Sequence, residues 1–233
     1  MEGHNHFLNA LRPSDLALIK GSLKHVELVR NAVLWEAGSR VDAVHLPVNC
    51  VISVVAVMSD GRSVETRTIG CETGFGLLHA LGSTISFERV TIQVGGDGWR
   101  LPLDVLRTAA GKSPTLVQAV ARHAQASMLQ AAQSAACNTL HTAEQRLARW
   151  LLLTRERLGA EVLPLTQEHL SIMLGVQRTT VTAIASELQA RGLVSYTRGR
   201  IRITDGPGLL ARACECYEAI ERMGERMLED EGP

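Results

Sequence analysis

Between residues 102 and 113 the sequence changes its hydrophobic period, and that change restricts the chain to folds that keep strands and helices apart. From about residue 26 to 103 the apolar residues fall in short β-branched runs, at 41–47, 51–58, 64–69 and 90–94. Turn-forming groups separate them, among them Ser59-Asp60-Gly61 and Gly95-Gly96-Asp97-Gly98. Many short strands with glycine-rich turns predict an antiparallel barrel or roll. After Pro102 the texture is helical, Ser113-Pro114 reads as a helix start, and no proline follows until Pro164. Ahead of the strands, Arg12-Pro13-Ser14-Asp15 opens a short helix carrying Leu16, Leu18 and Ile19. The expected class is α+β: a β-roll, a long central helix, then a helical C-terminal unit.

The central helix offers a stripe of Val117, Val120, Ala124, Ser127, Ala131 and Ser134, in alternating steps of three and four. Small residues at that spacing let two helices approach closely, as across a dimer seam; the same stripe would also serve to pack the helix on its own β-domain. A second amphipathic helix, 142–158, presents Leu147, Trp150, Leu151 and Leu158, and Gly159 ends it.

Residues 166–203 are the most specific stretch. Thr166 is a good N-cap for a helix over 167–174, Gly175 supplies the left-handed residue of a sharp turn, and a second helix runs over 178–191. Leu170, Leu174, Val176, Val181, Ile184 and Leu188 brace the two helices against each other. The second helix keeps Arg178, Thr179, Thr180 and Thr182 at its amino end, forked or short polar groups suited to base edges and phosphates. Residues 195–203 then alternate at period two around Gly199, a hairpin or wing edged by Arg198, Arg200 and Arg202. This pattern points to double-stranded DNA as the partner. A winged-helix protein-interaction module is the rival reading, and it would have no use for the arginine-edged wing.

Net charge is zero, but it is unevenly placed. Residues 166–204 hold five arginines against Glu168 and Glu187, whereas residues 213–233 hold seven acids against Arg222 and Arg226. Local field, not the total, governs phosphate contacts. The acidic end, 209–231, reads as an added helix that docks on the wing domain, shields its basic surface or simply solubilises the chain.

Other chemistries find little support. There is no nucleophile elbow, phosphate loop, His-Glu-x-x-His or diagnostic acid pair, so no catalytic residues are expected. No apolar run reaches the roughly 18 residues of a membrane span, and the start of the chain lacks the features of a signal peptide, which makes the cytoplasm the expected compartment. Cys50, Cys71, Cys137, Cys214 and Cys216 are odd in number and without framework spacing, as reduced thiols are. Cys214 and Cys216 fall in a helix-like stretch where i,i+2 side chains diverge, Cys137 and His141 read as junction residues, and His4-x-His6 as a terminal pattern. His123 reads as a seam or surface residue rather than a haem ligand. No metal site and no resident cofactor are expected.

Residues 166–203 resemble the DNA-binding domain of the cyclic-AMP receptor protein/fumarate-nitrate regulator (Crp/Fnr) superfamily, and the order of β-rich domain, long helix and winged helix is similar over nearly the whole chain. The resemblance implies a cyclic-nucleotide-binding-like β-roll at 1–112, a dimerisation helix at 113–141, a winged helix-turn-helix at 142–205 and an acidic extension at 206–233. It also implies a homodimer on a palindrome, with RNA polymerase as a candidate further partner. In that pattern Arg178 is the base- and phosphate-contacting arginine that opens the recognition helix, and Gln167 a phosphate contact. Thr179 and Ala183 replace an acid and a second arginine, so the family's known operator does not carry over. The ligand cassette corresponds to Gly74-Phe75-Gly76 through Gly82, with Arg89 near the phosphate position. Phe75 replaces the ribose-binding glutamate and Val90 a hydroxyl residue, which argues against cyclic AMP and leaves another small molecule or no ligand.

Overall fold

A computed structural model describes residues 5–229. Residues 1–4, among them His4 of the His4-x-His6 pair, and 230–233 of the acidic extension lie outside the described residues. Two short helices, α1 (His6–Asn9) and α2 (Pro13–Ile19), precede strands β1 (Lys24–Leu28), β2 (Val33–Trp35), β3 (Ala43–Pro47), β4 (Val51–Val57), β5 (Ser63–Ile69), β6 (Arg89–Val94) and β7 (Gly96–Pro102). These strands make two antiparallel sheets, ordered β1-β7-β3 and β2-β6-β4-β5.

The sheets face each other over Trp35, Ile52, Val54, Ile69, Phe75, Val90 and Ile92. On its other face the smaller sheet offers Val44, Leu46 and Leu101 to Phe7, Ile19, Leu106, Leu116 and Val120 from the helices. Covered on both faces, β3 is buried at every position. The four β-branched runs expected from the sequence are β3 to β6. The expected turn at 95–98 is a strand instead. The chain bends only at Gly95, changes sheet and enters β7, where Gly96 pairs with Leu28; only glycine fits there, since a side chain would stand 2.6 Å from the carbonyl oxygen of Asn49.

Helix α3 (Leu103–Ala110) leads to the long helix α4 (Pro114–Leu140). Ser113 caps α4, accepting from the Leu116 amide at 3.2 Å while donating to buried Asp15 at 2.5 Å, which ties α4 to α2. The stripe that could serve as a dimer seam or as a contact with the chain's own β-domain is partly covered within the chain. Val120 is fully buried, and Val117, Ala124, Ser127, Ala131 and Ser134 are half-buried against the chain's own domains. One residue further round, Gln118, Ala121, Gln125, Met128, Ala132, Ala135 and Thr139 are exposed, again in alternating steps of three and four.

Helix α5 (Ala143–Leu158) starts with a capping box between Thr142 and Gln145 and ends at Gly159 with φ +59°. It is buried almost all round, including Arg146, Arg149 and Arg157, because it lies between the C-terminal core and the β-domain. Strand β8 (Val162–Leu163), helices α6 (Gln167–Leu174) and α7 (Arg178–Ala190), and strands β9 (Val194–Thr197) and β10 (Arg200–Ile203) complete a winged helix, with sheet order β8-β10-β9.

The C-terminal extension is two helices, not one: α8 (Gly206–Leu210) and α9 (Cys216–Glu229). Helix α9 packs on α4 and α5 rather than on the wing. Cys214 lies in the break between α8 and α9, so the expected divergence of Cys214 and Cys216 does not occur. Among the described residues no helix is long and apolar enough to cross a membrane.

Candidate nucleic-acid interface

The recognition surface is held by a small core. Leu170, Met173 and Leu174 of α6 meet Val181 and Leu188 of α7, with Leu163, Ile201 and Ile203 from the strands and Leu165 and Leu193 from the adjoining loops closing the cluster. Truncating one of these leucines to alanine costs about 2–5 kcal/mol. Thr166 caps α6 by accepting from the His169 amide at 3.3 Å, and Gly175 ends it at φ +62°, which turns the chain sharply into α7.

Helix α7 has no side-chain hydrogen bond at its N-cap, Gln177. Its first amide groups therefore face outward beside Arg178, Thr179 and Thr180, all exposed. Such an end attracts anions through its dipole and free N–H groups. Thr182 is exposed as well, but its hydroxyl donates to the Arg178 carbonyl at 2.9 Å, leaving it an acceptor for outside partners. Gln167, first in α6, is half-buried.

In the wing, Thr197 pairs with Arg200 and Ser195 with Arg202. Ser195, Thr197, Arg200 and Arg202 are all exposed, while Val194, Ile201 and Ile203 point into the core. These four polar residues line one shallow hollow with Arg198 and Val162. The turn itself is Arg198-Gly199, with φ of +43° and +76°. Both central residues of a two-residue hairpin of this kind need positive φ, and arginine tolerates it poorly.

Among the described residues Arg178, Arg198, Arg200 and Arg202 make no ion pair, whereas Arg191 is neutralised by Glu187 at 2.7 Å. The four unpaired guanidiniums are thus free to meet an anion. One face of the winged helix rests on the β-domain. His169 Nδ1 stands 3.1 Å from Arg30, which can only donate, so Nδ1 is the acceptor and Nε2–H donates to Asn31 at 3.1 Å. Burial first, then the Arg30 charge, lowers the His169 pKa and holds the ring neutral.

Of the sequence-expected effector residues, Gly74, Phe75 and Gly76 are packed against β3 and Trp35, whereas Arg89 lines a cavity of about 320 Å³ between the β-domain and α6. Phe75 is buried and stacked on Trp35 with ring centres 5.2 Å apart, and Arg89 pairs with Glu36 at 3.1 Å. A side chain on Gly74 would strike Leu46, and Gly76 combines φ +100° with an approach of 2.7 Å to the Ala43 carbonyl oxygen. These glycines serve packing on β3. A cavity of about 300 Å³ lies elsewhere, lined by Cys71, Thr73, His123, Gln130, Arg157 and Ile220 among others. His123 is neither at a surface nor on the exposed stripe of α4. It hydrogen-bonds Thr73 at 3.0 Å and meets Phe7 edge-on, and burial lowers its pKa to about 4. The sequence signal for this cavity is weak, since its walls come from five separated segments.

Residues 145–212 match the family model of the Crp-like helix-turn-helix domain. The whole fold is similar to that of FixK2 from Bradyrhizobium japonicum, with a TM-score of 0.70 and 18% identity over 82% of this chain and 98% of that one. A transcriptional regulator of the crp/fnr family from Eubacterium rectale gives a TM-score of 0.69 and 18% identity, over 95% of this chain and 100% of that one. The c-di-GMP responsive global regulator CLP of Xanthomonas campestris gives 0.66 and 13%, over 82% and 99%. No curated protein matches the chain.

Proposed function

We propose that this chain, whose residues 145–212 match the Crp-like helix-turn-helix domain and whose fold is similar to that of Crp/Fnr-family regulators, is a homodimeric transcriptional regulator that reads a two-fold symmetric DNA site. The observation that carries this reading is the set of four unpaired arginines, one at the uncapped start of α7 and three on the wing. Arg178, with Thr179, Thr180 and Thr182, reads base edges in the major groove. Arg198, Arg200 and Arg202, with Gln167, hold phosphates and set the register.

Two copies join along the exposed stripe of α4, where Ala121, Ala132 and Ala135 permit close approach and Met128, 67% exposed, supplies an adaptable apolar contact. That places two α7 helices in successive major grooves about 34 Å apart. Gating by an effector acts at the cavity bounded by the β-domain, α4, α5 and α9 rather than at the glycine cassette. An occupant there touches every element whose arrangement sets the spacing of the recognition helices.

The test is selection of genomic fragments by purified protein at two salt concentrations, beside the Arg178→Ala variant. A palindromic motif with steep salt dependence, weakened in the variant, supports the reading. Enrichment of no sequence, with and without cell extract, rejects it in favour of a protein-interaction role.

A further inference from the structure

Where α4 ends, three thiols and an imidazole converge. Cys137 lies one turn before the end of α4, His141 is its C-cap, Cys214 sits in the break before α9, and Cys216 is the first residue of α9. The three sulfurs are buried and the imidazole is nearly so, at 14%. All four candidate donor atoms lie within 4.8 Å of one another. Cys137 Sγ is 3.5 Å from Cys214 Sγ, and Cys216 Sγ is 3.6 Å from His141 Nδ1.

We propose that Cys137, His141, Cys214 and Cys216 bind one zinc ion in a tetrahedral Cys3His site that pins the C-terminal helix to the joint between α4 and α5. Four donors around a zinc with Zn–S bonds of about 2.3 Å stand about 3.8 Å apart, so the set needs only a small contraction to close. Iron–sulfur clusters spread their ligands more widely, and hard cations prefer oxygen, which leaves a single borderline-soft ion.

The surroundings are those of a ligated set. His141 Nε2 donates to Glu215 at 3.1 Å, which leaves the Nδ1 lone pair aimed at the thiols; a carboxylate on the remote ring nitrogen fixes a metal-binding histidine in this way. Gln133 Nε2 donates to Cys216 Sγ at 3.0 Å, an N–H to sulfur bond that suits a thiolate. Three thiolates and an imidazole on a dication carry one net negative charge. Two buried guanidiniums on α5 more than offset it: Arg149 acts on both Cys137 and Cys214, as does Arg146, held by Asn138 at 2.8 Å. In both arginines the buried Nε lacks a hydrogen-bond partner, so each retains an unused donor.

The spacing also fits a closure function. The cluster joins residues 77 apart in sequence, Cys137 and Cys214, and Thr142, the N-cap of α5, directly follows His141. A metal there fixes the angle at which the DNA-binding unit leaves the long helix.

The full-length protein, purified with thiols kept reduced, is dialysed against a chelating resin and its zinc measured by elemental analysis. Metal-free protein is then titrated with Co²⁺. The expected result is one tightly held zinc per chain. Cobalt should give the intense d–d absorption of a tetrahedral ion with thiolate-to-metal charge transfer, both lost or shifted in Cys216→Ser and His141→Ala but unchanged in Cys71→Ser. Cobalt spectra on the unaltered chain keep the test independent of whether the variants fold. Absence of stoichiometric zinc together with a featureless cobalt titration overturns the proposal. So does a Cys137–Cys214 disulfide found by peptide mapping of protein isolated with its thiols blocked.

Discussion

Glu65 of β5 accepts the indole N–H of Trp150 of α5 at 3.2 Å, so a buried carboxylate of the β-domain holds the first helix of the DNA-binding unit. Its other oxygen takes Ser53 at 2.5 Å and Gln93 at 3.0 Å. Burial raises the Glu65 pKa from 4.5 to about 7, against the opposing pull of the Ser53 and Trp150 hydrogen bonds and of Arg157 and Arg149.

A raised carboxyl pKa means that the folded chain binds a proton the unfolded chain has released. This contribution to stability is full below about pH 4.5 and is lost as the pH rises through 7. The shift corresponds to about 3 kcal/mol. His45 and His123, both lowered to about 4, act oppositely and lose stability as the pH falls below 6.5. Glu65→Gln isolates the carboxyl term. In denaturant titrations the stability of the unaltered chain minus that of the variant should fall by about 3 kcal/mol between pH 5 and pH 8. A difference independent of pH would show that Glu65 stays ionised throughout.

Arg178→Ala should cost about 1–3 kcal/mol at the operator and relax specificity at one base of each half-site. Arg191→Ala should cost less, because Glu187 already neutralises that guanidinium. Equal losses from both, measured by fluorescence anisotropy on one operator, would remove Arg178 from base readout. Arg200→Ala and Arg202→Ala should weaken all sequences alike, each lowering the salt slope by roughly 1.

The ends of α5 and α6 were legible because their caps are local chemistry: Thr142 with Gln145, Thr166, and the left-handed Gly159 and Gly175 each act within a turn of their own position. The strands β1, β2 and β7 were not, since their residues are chosen by distant neighbours. Gly96 is a strand residue because it pairs with Leu28, and a glycine because Asn49 lies against it. The glycines at 74 and 76 look like a ligand cassette until β3 is seen to fill their space. A seam on α4 is hard to read because an alanine-rich helix offers adjacent stripes of similar character, of which the one through Val120 has that residue in the β-domain core. The cysteine cluster was hidden by a helix break that no proline announces, between Leu210 and Cys216.

Arg198 occupies a turn position whose φ of +43° favours asparagine or glycine. Retaining arginine there costs about 1–2 kcal/mol. Arg198→Asn should therefore raise the thermal stability of the chain while lowering DNA affinity and its salt dependence. Opposite signs in the two measurements identify a residue kept for binding. A variant that gains stability with unchanged affinity would leave the wing turn without a phosphate contact.

The stripe on α4 is open to a sharper trial. Ala132 is exposed in the single chain, so Ala132→Glu should leave the fold's stability within about 0.5 kcal/mol. Across a two-fold seam the same change sets two carboxylates close together in a closely packed, water-poor contact, where like charges repel strongly. Sedimentation velocity should show dimers for the unaltered chain and monomers for the variant, and binding to a palindrome should fall far more than binding to an isolated half-site. If the variant remains dimeric with full palindrome affinity, the two copies do not meet along Ala121, Met128 and Ala132.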